Sequence, residues 1–365
     1  MGSSMKVERS FEPTYAVPPG ETLSELLEER GMTQTDLADR LGVSLKHANQ
    51  VVNGAASISA ELALGLEKVL GVSSGFWLNR ESLFRADLAR QGEAREFEAA
   101  QEWAREFPLK ELKQRGFLAQ DAKGADIVGE LLRFLGVAKP ELWTDPAVAY
   151  RKSRRFESDR YALAAWLRVG ELAGNEIECE PYDAGRFLEI LGDARSLTRL
   201  KPRSWHPKLV KLCAGAGVAV VIQPLFTGAR ANGATCWLSS TKALIQLSLR
   251  YKWEDVFWFS FFHEAGHVLR HRKRLKFLEG PRAEAAYGDD PELLQLEEEA
   301  DQFASDILIP PDRAAELRWL GLADVRRFAA ELGVSPAIVV GRLQHDRVVG
   351  FNQGNDLRRR LEFVS

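Results

Sequence analysis

Cysteine is scarce: the 365 residues hold only Cys179, Cys213 and Cys236, with no CxxC pair and one left over. That excludes a disulfide framework and a cysteine-rich zinc site, and each thiol reads as a small buried apolar side chain. Long hydrophobic runs are also missing. The apolar stretch Val218–Ile222 and the aromatic run Val256–Phe262 are far too short to span a bilayer. No signal-peptide pattern opens the chain. Met1-Gly-Ser-Ser reads as a cloning remnant, Met5 as the native start, and the expected location is the cytoplasm. An excess of one charge is absent as well, since Lys+Arg 49 against Asp+Glu 52 leaves a net charge of -3. Any contact with nucleic acid or a membrane surface must therefore come from a local patch. What remains is an ordinary globular balance, 45% hydrophobic and 28% charged, long enough for two or three domains.

Residues 1–19 carry Pro13, Pro18 and Pro19 and read as an arm. Leu23, Leu26 and Leu27 then repeat at helical spacing up to Gly31. Thr33 caps a second helix over Gln34–Leu41, with Asp36 in the place of a capping-box acid. Gly42-Val43 makes a short turn, Ser44 caps a third helix that ends at Asn53-Gly54, and Ser57 or Ser59 starts a fourth. Two helices joined by such a turn form a helix-turn-helix unit, whose second helix enters the major groove. The run Met32–Ser44 with Asn53-Gly54 resembles the Xre/Cro repressor type. With Ile58–Leu64 and Gly75-Phe-Trp-Leu-Asn79 it is similar to the HigA branch, whose members are antitoxins. The resemblance covers about residues 20–90 and implies base or phosphate contacts from Ser44, Lys46, His47, Asn49 and Gln50, with Gln34 on the backbone. Residues 20–75 hold eight acids and four bases, a net of -4. That charge runs against phosphate-driven affinity, so double-stranded DNA, bound as a homodimer, and a protein partner both remain as occupants.

Residues 91–200 are rich in Glu, Arg, Ala and Leu, broken by Pro108, Gly116, Gly136, Pro140 and Pro146, and show no repeat period. They read as a helical connector that packs on the following domain. Its Arg151-Lys-Ser-Arg-Arg155 cluster is either a phosphate contact or a solvated face.

From residue 201 the pattern changes. Val218–Gln223, Thr235–Leu238 and Ala243–Leu249 read as strands after a helix over Trp205–Ala214. Then Trp253–His271 is apolar on every side and reads as a buried helix. Inside it lies His263-Glu-Ala-Gly-His267, the HExxH pattern. Histidines at i and i+4 share one helix face and can both bind one Zn²⁺, with Glu264 beside them as general base. Gly and His at 270 and 273 would mark a metzincin; Arg270 and Lys273 exclude that class. His271 is a third ligand or a helix-terminal cation opposing the dipole. Downstream, Glu297 and Asp301 lie one turn apart in a helix with an Ala300, Phe303, Ala304, Ile307 and Leu308 stripe. Glu298 and Glu299 compete for the ligand role, but helical phase and the Asp301 one turn on favour Glu297. The ExxxD arrangement resembles the gluzincin metallopeptidases, which implies Glu297 on zinc and Asp301 hydrogen-bonded to a ligating histidine.

Together, His263–His267 and Glu297-Glu-Glu-Ala-Asp-Gln-Phe-Ala304, running to Leu308-Ile-Pro310, resemble the ImmA/IrrE metallopeptidases over about residues 200–350. The tail segments Phe328–Pro336 and Val340–His345 belong to the same resemblance. Asp301 stands where that family often has Asn. The resemblance implies a zinc-dependent endopeptidase that cleaves a repressor or antitoxin-like protein and derepresses stress, defence or mobile-element genes. Tyr251, His271, Tyr287 and Arg230 remain open as oxyanion donors. The alternative is a DNA-binding regulator or antitoxin with a structural or inactive zinc site; a third is a self-cleaving switch, with Leu275–Pro291 as lid or scissile segment. The expected fold is mainly α with a small β-sheet (α+β). It comprises the arm, an all-α helix-turn-helix domain over 20–90, the connector over 91–200 and a gluzincin-like domain over 201–365.

Overall fold

The structure is a computed structural model that describes residues 17–145, 159–271, 277–279 and 291–362. The arm before Val17, the Arg151–Arg155 cluster, Tyr287 and most of the segment 275–291 lie outside those residues. The chain is mostly helical with one four-stranded sheet and divides into two compact units, Met1–Gln101 and Glu102–Ser365. No helix among the described residues is long and apolar enough to cross a membrane.

The first unit holds α1 (Pro19–Glu29), α2 (Gln34–Leu41), α3 (Leu45–Val52), α4 (Ala60–Leu70) and α5 (Ser74–Ala99). Local chemistry sets each boundary. The Thr33 hydroxyl accepts from the Asp36 amide at 3.1 Å while the Asp36 carboxylate accepts from the Thr33 amide at 3.0 Å. The Thr33 hydroxyl, at 2.6 Å, and then the Thr33 amide donate to the Asp36 carboxylate and hold its pKa below the usual range. Gly42 closes α2 in the left-handed region (φ 69°), which a Cβ would disfavour. Of the two candidate starts for α4, Ser59 is the cap, accepting from the Leu62 amide. Leu23, Leu37, Leu66, Leu70 and Trp77 close the core. Thr33→Ala is expected to cost this unit about 1 kcal/mol, read as faster amide hydrogen exchange across α2; unchanged exchange would contradict it.

After α6 (Gln101–Arg105), the second unit runs through α7 (Leu109–Gln114), α8 (Ala125–Leu135), α9 (Arg160–Glu176), α10 (Ala184–Leu197) and α11 (Pro202–Ala214). The sheet follows, with β1 (Val218–Ile222), β2 (Gly233–Ser239) and β3 (Lys242–Leu247) before α12 (Glu254–Arg270), and β4 (Phe277–Glu279) after it. Then come α13 (Pro291–Leu308), α14 (Pro311–Ala314), α15 (Val325–Leu332) and α16 (Pro336–His345). Strand order is β1-β3-β2-β4, with β1 parallel to β3 and the other two pairs antiparallel. Alternation sorts the side chains. Val218, Val220, Ile245 and Leu247 join the main core with α12, and Ala219, Val221, Cys236 and Leu244 form a second cluster on the other face. The third strand stops at Leu247, two residues short of the pattern's Leu249. The Ser248 amide still bonds to the Asn232 carbonyl, in register with β2, but its hydroxyl donates to the Ala231 carbonyl and accepts from the Arg250 amide, and the chain turns through Lys252 at φ 57°.

Candidate metal centre

Helix α12 is the axis of the site, and its sequence explains why it is buried. Trp258, Phe261 and Phe262 are fully buried, so the helix is wrapped in protein rather than laid on a surface. Its N-terminal end is tied by charge. Glu254 accepts from the Ser335 hydroxyl at 2.6 Å and pairs with Arg359 at 2.6 Å. Asp255 takes a two-pronged pair from Arg358 at 2.9 and 2.8 Å. Gly266 lets α13 come close, because a Cβ there would lie 3.3 Å from the Ala300 Cα and 3.1 Å from the Phe303 ring.

That close approach brings three donor groups together. His263 Nε2 and His267 Nε2 are 3.0 Å apart. The Glu297 carboxylate lies 3.2 Å from the first and 3.5 Å from the second. All three residues are buried, and their ligand atoms lie within 4.8 Å of one another, a grouping that could hold a metal ion. Each imidazole is also held from behind. His263 Nδ1 is 2.8 Å from Asp301 Oδ1. His267 Nδ1 is 2.8 Å from His271 Nδ1, whose other nitrogen is 3.4 Å from Glu299. The Phe277 ring stacks on His267 at 3.8 Å. Burial first, then the neighbouring His263 and His271, push the His267 pKa well below its ordinary value. The imidazole is therefore neutral, the form that binds metal. His271 stands behind His267, outside the group of three donors, its own pKa lowered by burial.

Glu264 is fully buried and is turned aside from this trio. Thr235 Oγ1 on β2 donates to its Oε2 at 2.5 Å. Gly233 makes room for the carboxylate, since a Cβ there would come 2.5 Å from Glu264 Oε1. Neither Thr235, Gly233 nor Phe277 carried a signal in the sequence, because each reaches the site only through strand pairing. Of the competing carboxylates, Glu298 is exposed and Glu299 faces His271, which leaves Glu297 at the imidazoles. Tyr251 lines a depression beside Ser260, and Arg230 is exposed.

In the first unit, α3 carries the other candidates. Lys46 and Gln50 are exposed, while His47 is half-buried beside Leu37. Ser44 caps α3 by accepting from the His47 amide. Asn49 donates to Gln34 at 3.1 Å and accepts from Asn53 at 2.9 Å, a clamp between α2 and α3.

The partners behind the imidazoles carry an expected result. Replacing Asp301 or His271 with Ala should weaken metal affinity about 10- to 100-fold, measured by competition with a chromogenic chelator. Wild-type affinity in both variants would contradict the reading of those contacts.

Comparison with known proteins agrees with the geometry. Residues 23–77 match the family model described as helix-turn-helix, and residues 241–344 match that described as the IrrE N-terminal-like domain, the peptidase M78 family. No curated protein matches the chain. Among solved structures, it is similar to an addiction-module antidote protein of the HigA family from Coxiella burnetii. Identity is 32% over 23% of this chain and 92% of that one, with a TM-score of 0.21. It is also similar to Pseudomonas aeruginosa antitoxin HigA, solved with the higBA promoter, at 30% identity over 22% and 89% and a TM-score of 0.22. The chain therefore joins an N-terminal helix-turn-helix domain to a C-terminal domain of the IrrE N-terminal-like, peptidase M78 family.

Proposed function

We propose that the second unit is a zinc-dependent endopeptidase of the gluzincin type, whose substrate is a repressor or antitoxin-like protein. The observation that carries this reading is the division of labour on α12 and α13. Three buried donors converge, while a fourth buried group, Glu264, stays beside them in the hold of Thr235. The donor set fits the ion: two neutral imidazole nitrogens and one carboxylate are a ligand set of catalytic zinc, and a closed structural site has no use for the extra carboxylate. When bound, zinc supplies Lewis acidity that polarises the scissile carbonyl and acidifies water.

The chain's own groups do the rest. Glu264 takes the proton from the attacking water and returns it to the departing amine nitrogen. Thr235 fixes the carboxylate for both transfers, and Asp301 and His271 fix the imidazole planes. The first unit is proposed to hold operator-like DNA or the partner protein through α3, with Ser44, Lys46, Asn49 and Gln50 as exposed contacts.

The test is to add zinc-loaded wild-type protein, or its Glu264→Gln variant, to lysate of the source cell and to label new protein N-termini. Termini that appear with wild type alone support the proposal. Identical sets in the two samples would overturn it.

A further inference from the structure

β4 is three residues long and has a single neighbour in the sheet, β2. A strand that short, bonded along one flank, stays docked mainly through what its side chains bury. Phe277 is 1% exposed and Leu278 5%. Successive side chains of a strand point to opposite faces, so the two are buried on different sides.

The Phe277 ring goes to the metal centre. It stacks on the His267 imidazole with ring centres 3.8 Å apart and planes 13° from parallel, and its centre is 5.1 Å from that of His271. The register of the β2–β4 pair sets Phe277 directly opposite Thr235. Directly opposed residues of an antiparallel pair project from one face. Thr235 donates to Glu264 while Phe277 covers His267, and those two partners lie three positions apart on α12. One strand pair therefore braces the proposed general base and the second imidazole together.

Two demands meet in the plane of the His267 ring. Its Nε2 faces His263 and Glu297, and its Nδ1 is 2.8 Å from His271 Nδ1. A metal on Nε2 fixes the plane of the imidazole, and the Phe277 stack needs that same plane. The ring has to be ordered only once for both events, so each favours the other. A bound cation also draws electron density from the imidazole, and the face of a phenyl ring attracts the positive charge that results. The two effects have the same sign.

We propose that docking of β4 is coupled to metal occupancy, with Phe277 as a positioning residue that acts through His267. The coupling rests on the metal reading of the His263, His267 and Glu297 group, and it is independent of what the centre hydrolyses. It is reciprocal: zinc holds β4 on β2, and the docked strand tightens the hold on zinc. An aromatic pair of this kind corresponds to about two- to tenfold in either equilibrium.

The test compares full-length wild type, Phe277→Leu and Leu278→Ala, each with and without zinc. Phe277→Leu keeps an apolar side chain but removes the planar ring, whereas Leu278→Ala weakens burial on the other face of the strand. Hydrogen–deuterium exchange over Phe277–Glu279 and zinc affinity by chelator competition are read on all three. In wild type, zinc should slow exchange of the strand about two- to tenfold. Phe277→Leu should lose that zinc dependence and bind zinc more weakly by the same factor. Leu278→Ala should exchange faster throughout yet keep the zinc dependence, a contrast that a merely structural role for Phe277 would not produce. Zinc uptake by wild type without slower exchange overturns the coupling. So does full zinc dependence in Phe277→Leu, or its loss in both variants. A wild type that takes up no zinc overturns the metal reading itself, and the coupling with it.

Discussion

Glu264→Gln is expected to keep the metal and to lower peptide cleavage by about 10²- to 10⁴-fold. The amide has nearly the shape of the carboxylate, so the pocket formed by Gly233 and Thr235 still holds it. What it loses is basicity: it cannot take a proton from water or return one to the amine. Zinc affinity should not change, because Glu264 lies outside the group formed by His263, His267 and Glu297. Cleavage of the partner protein and zinc content, measured on one preparation, check this. Wild-type turnover in a zinc-loaded variant would remove Glu264 from the mechanism.

Trp258→Ala should be the most damaging single change to stability, at about 3–5 kcal/mol. Its indole is fully buried and packs within 4.9 Å of Trp205, 5.4 Å of Phe257 and 6.0 Å of Phe261, measured between ring centres. None of those rings can collapse into the hole without leaving its own packing. For a unit of this size the loss corresponds to a fall of roughly 10 °C in the unfolding transition, seen by differential scanning calorimetry. A shift below 2 °C would mean that the core around α12 relaxes far more than its interlocked rings imply.

Much of this was legible in the residues. Thr33, Gly42 and Ser44 mark the helix-turn-helix boundaries through capping chemistry that acts over three or four positions. The shared face of His263 and His267, and that of Glu297 and Asp301, follow from helical phase, since groups four apart share a face, whereas the pairing of the two helices is implied only by the gluzincin resemblance. Contacts that depend on how strands pair were not legible. Thr235 reaches Glu264 because β2 lies beside α12, and Phe277 reaches His267 because β4 adds to β2. His271 could be placed on the ligand face by phase, but only the Nδ1–Nδ1 contact distinguishes a supporting group from a ligand. The end of β3 before Leu249 was not legible, because the Ser248 hydroxyl takes the Ala231 carbonyl and accepts from the Arg250 amide, local bonds that leave no trace in the alternation.

The central claim is that α12 and α13 build a zinc site around His263, His267 and Glu297. Elemental analysis of the purified protein beside Glu297→Ala and Glu264→Gln tests it most directly. The expected result is about one zinc per chain in wild type and Glu264→Gln, and a large loss in Glu297→Ala, since the site then keeps only two of its three protein ligands. Absence of zinc from wild type after reconstitution, or full retention in Glu297→Ala, would contradict it.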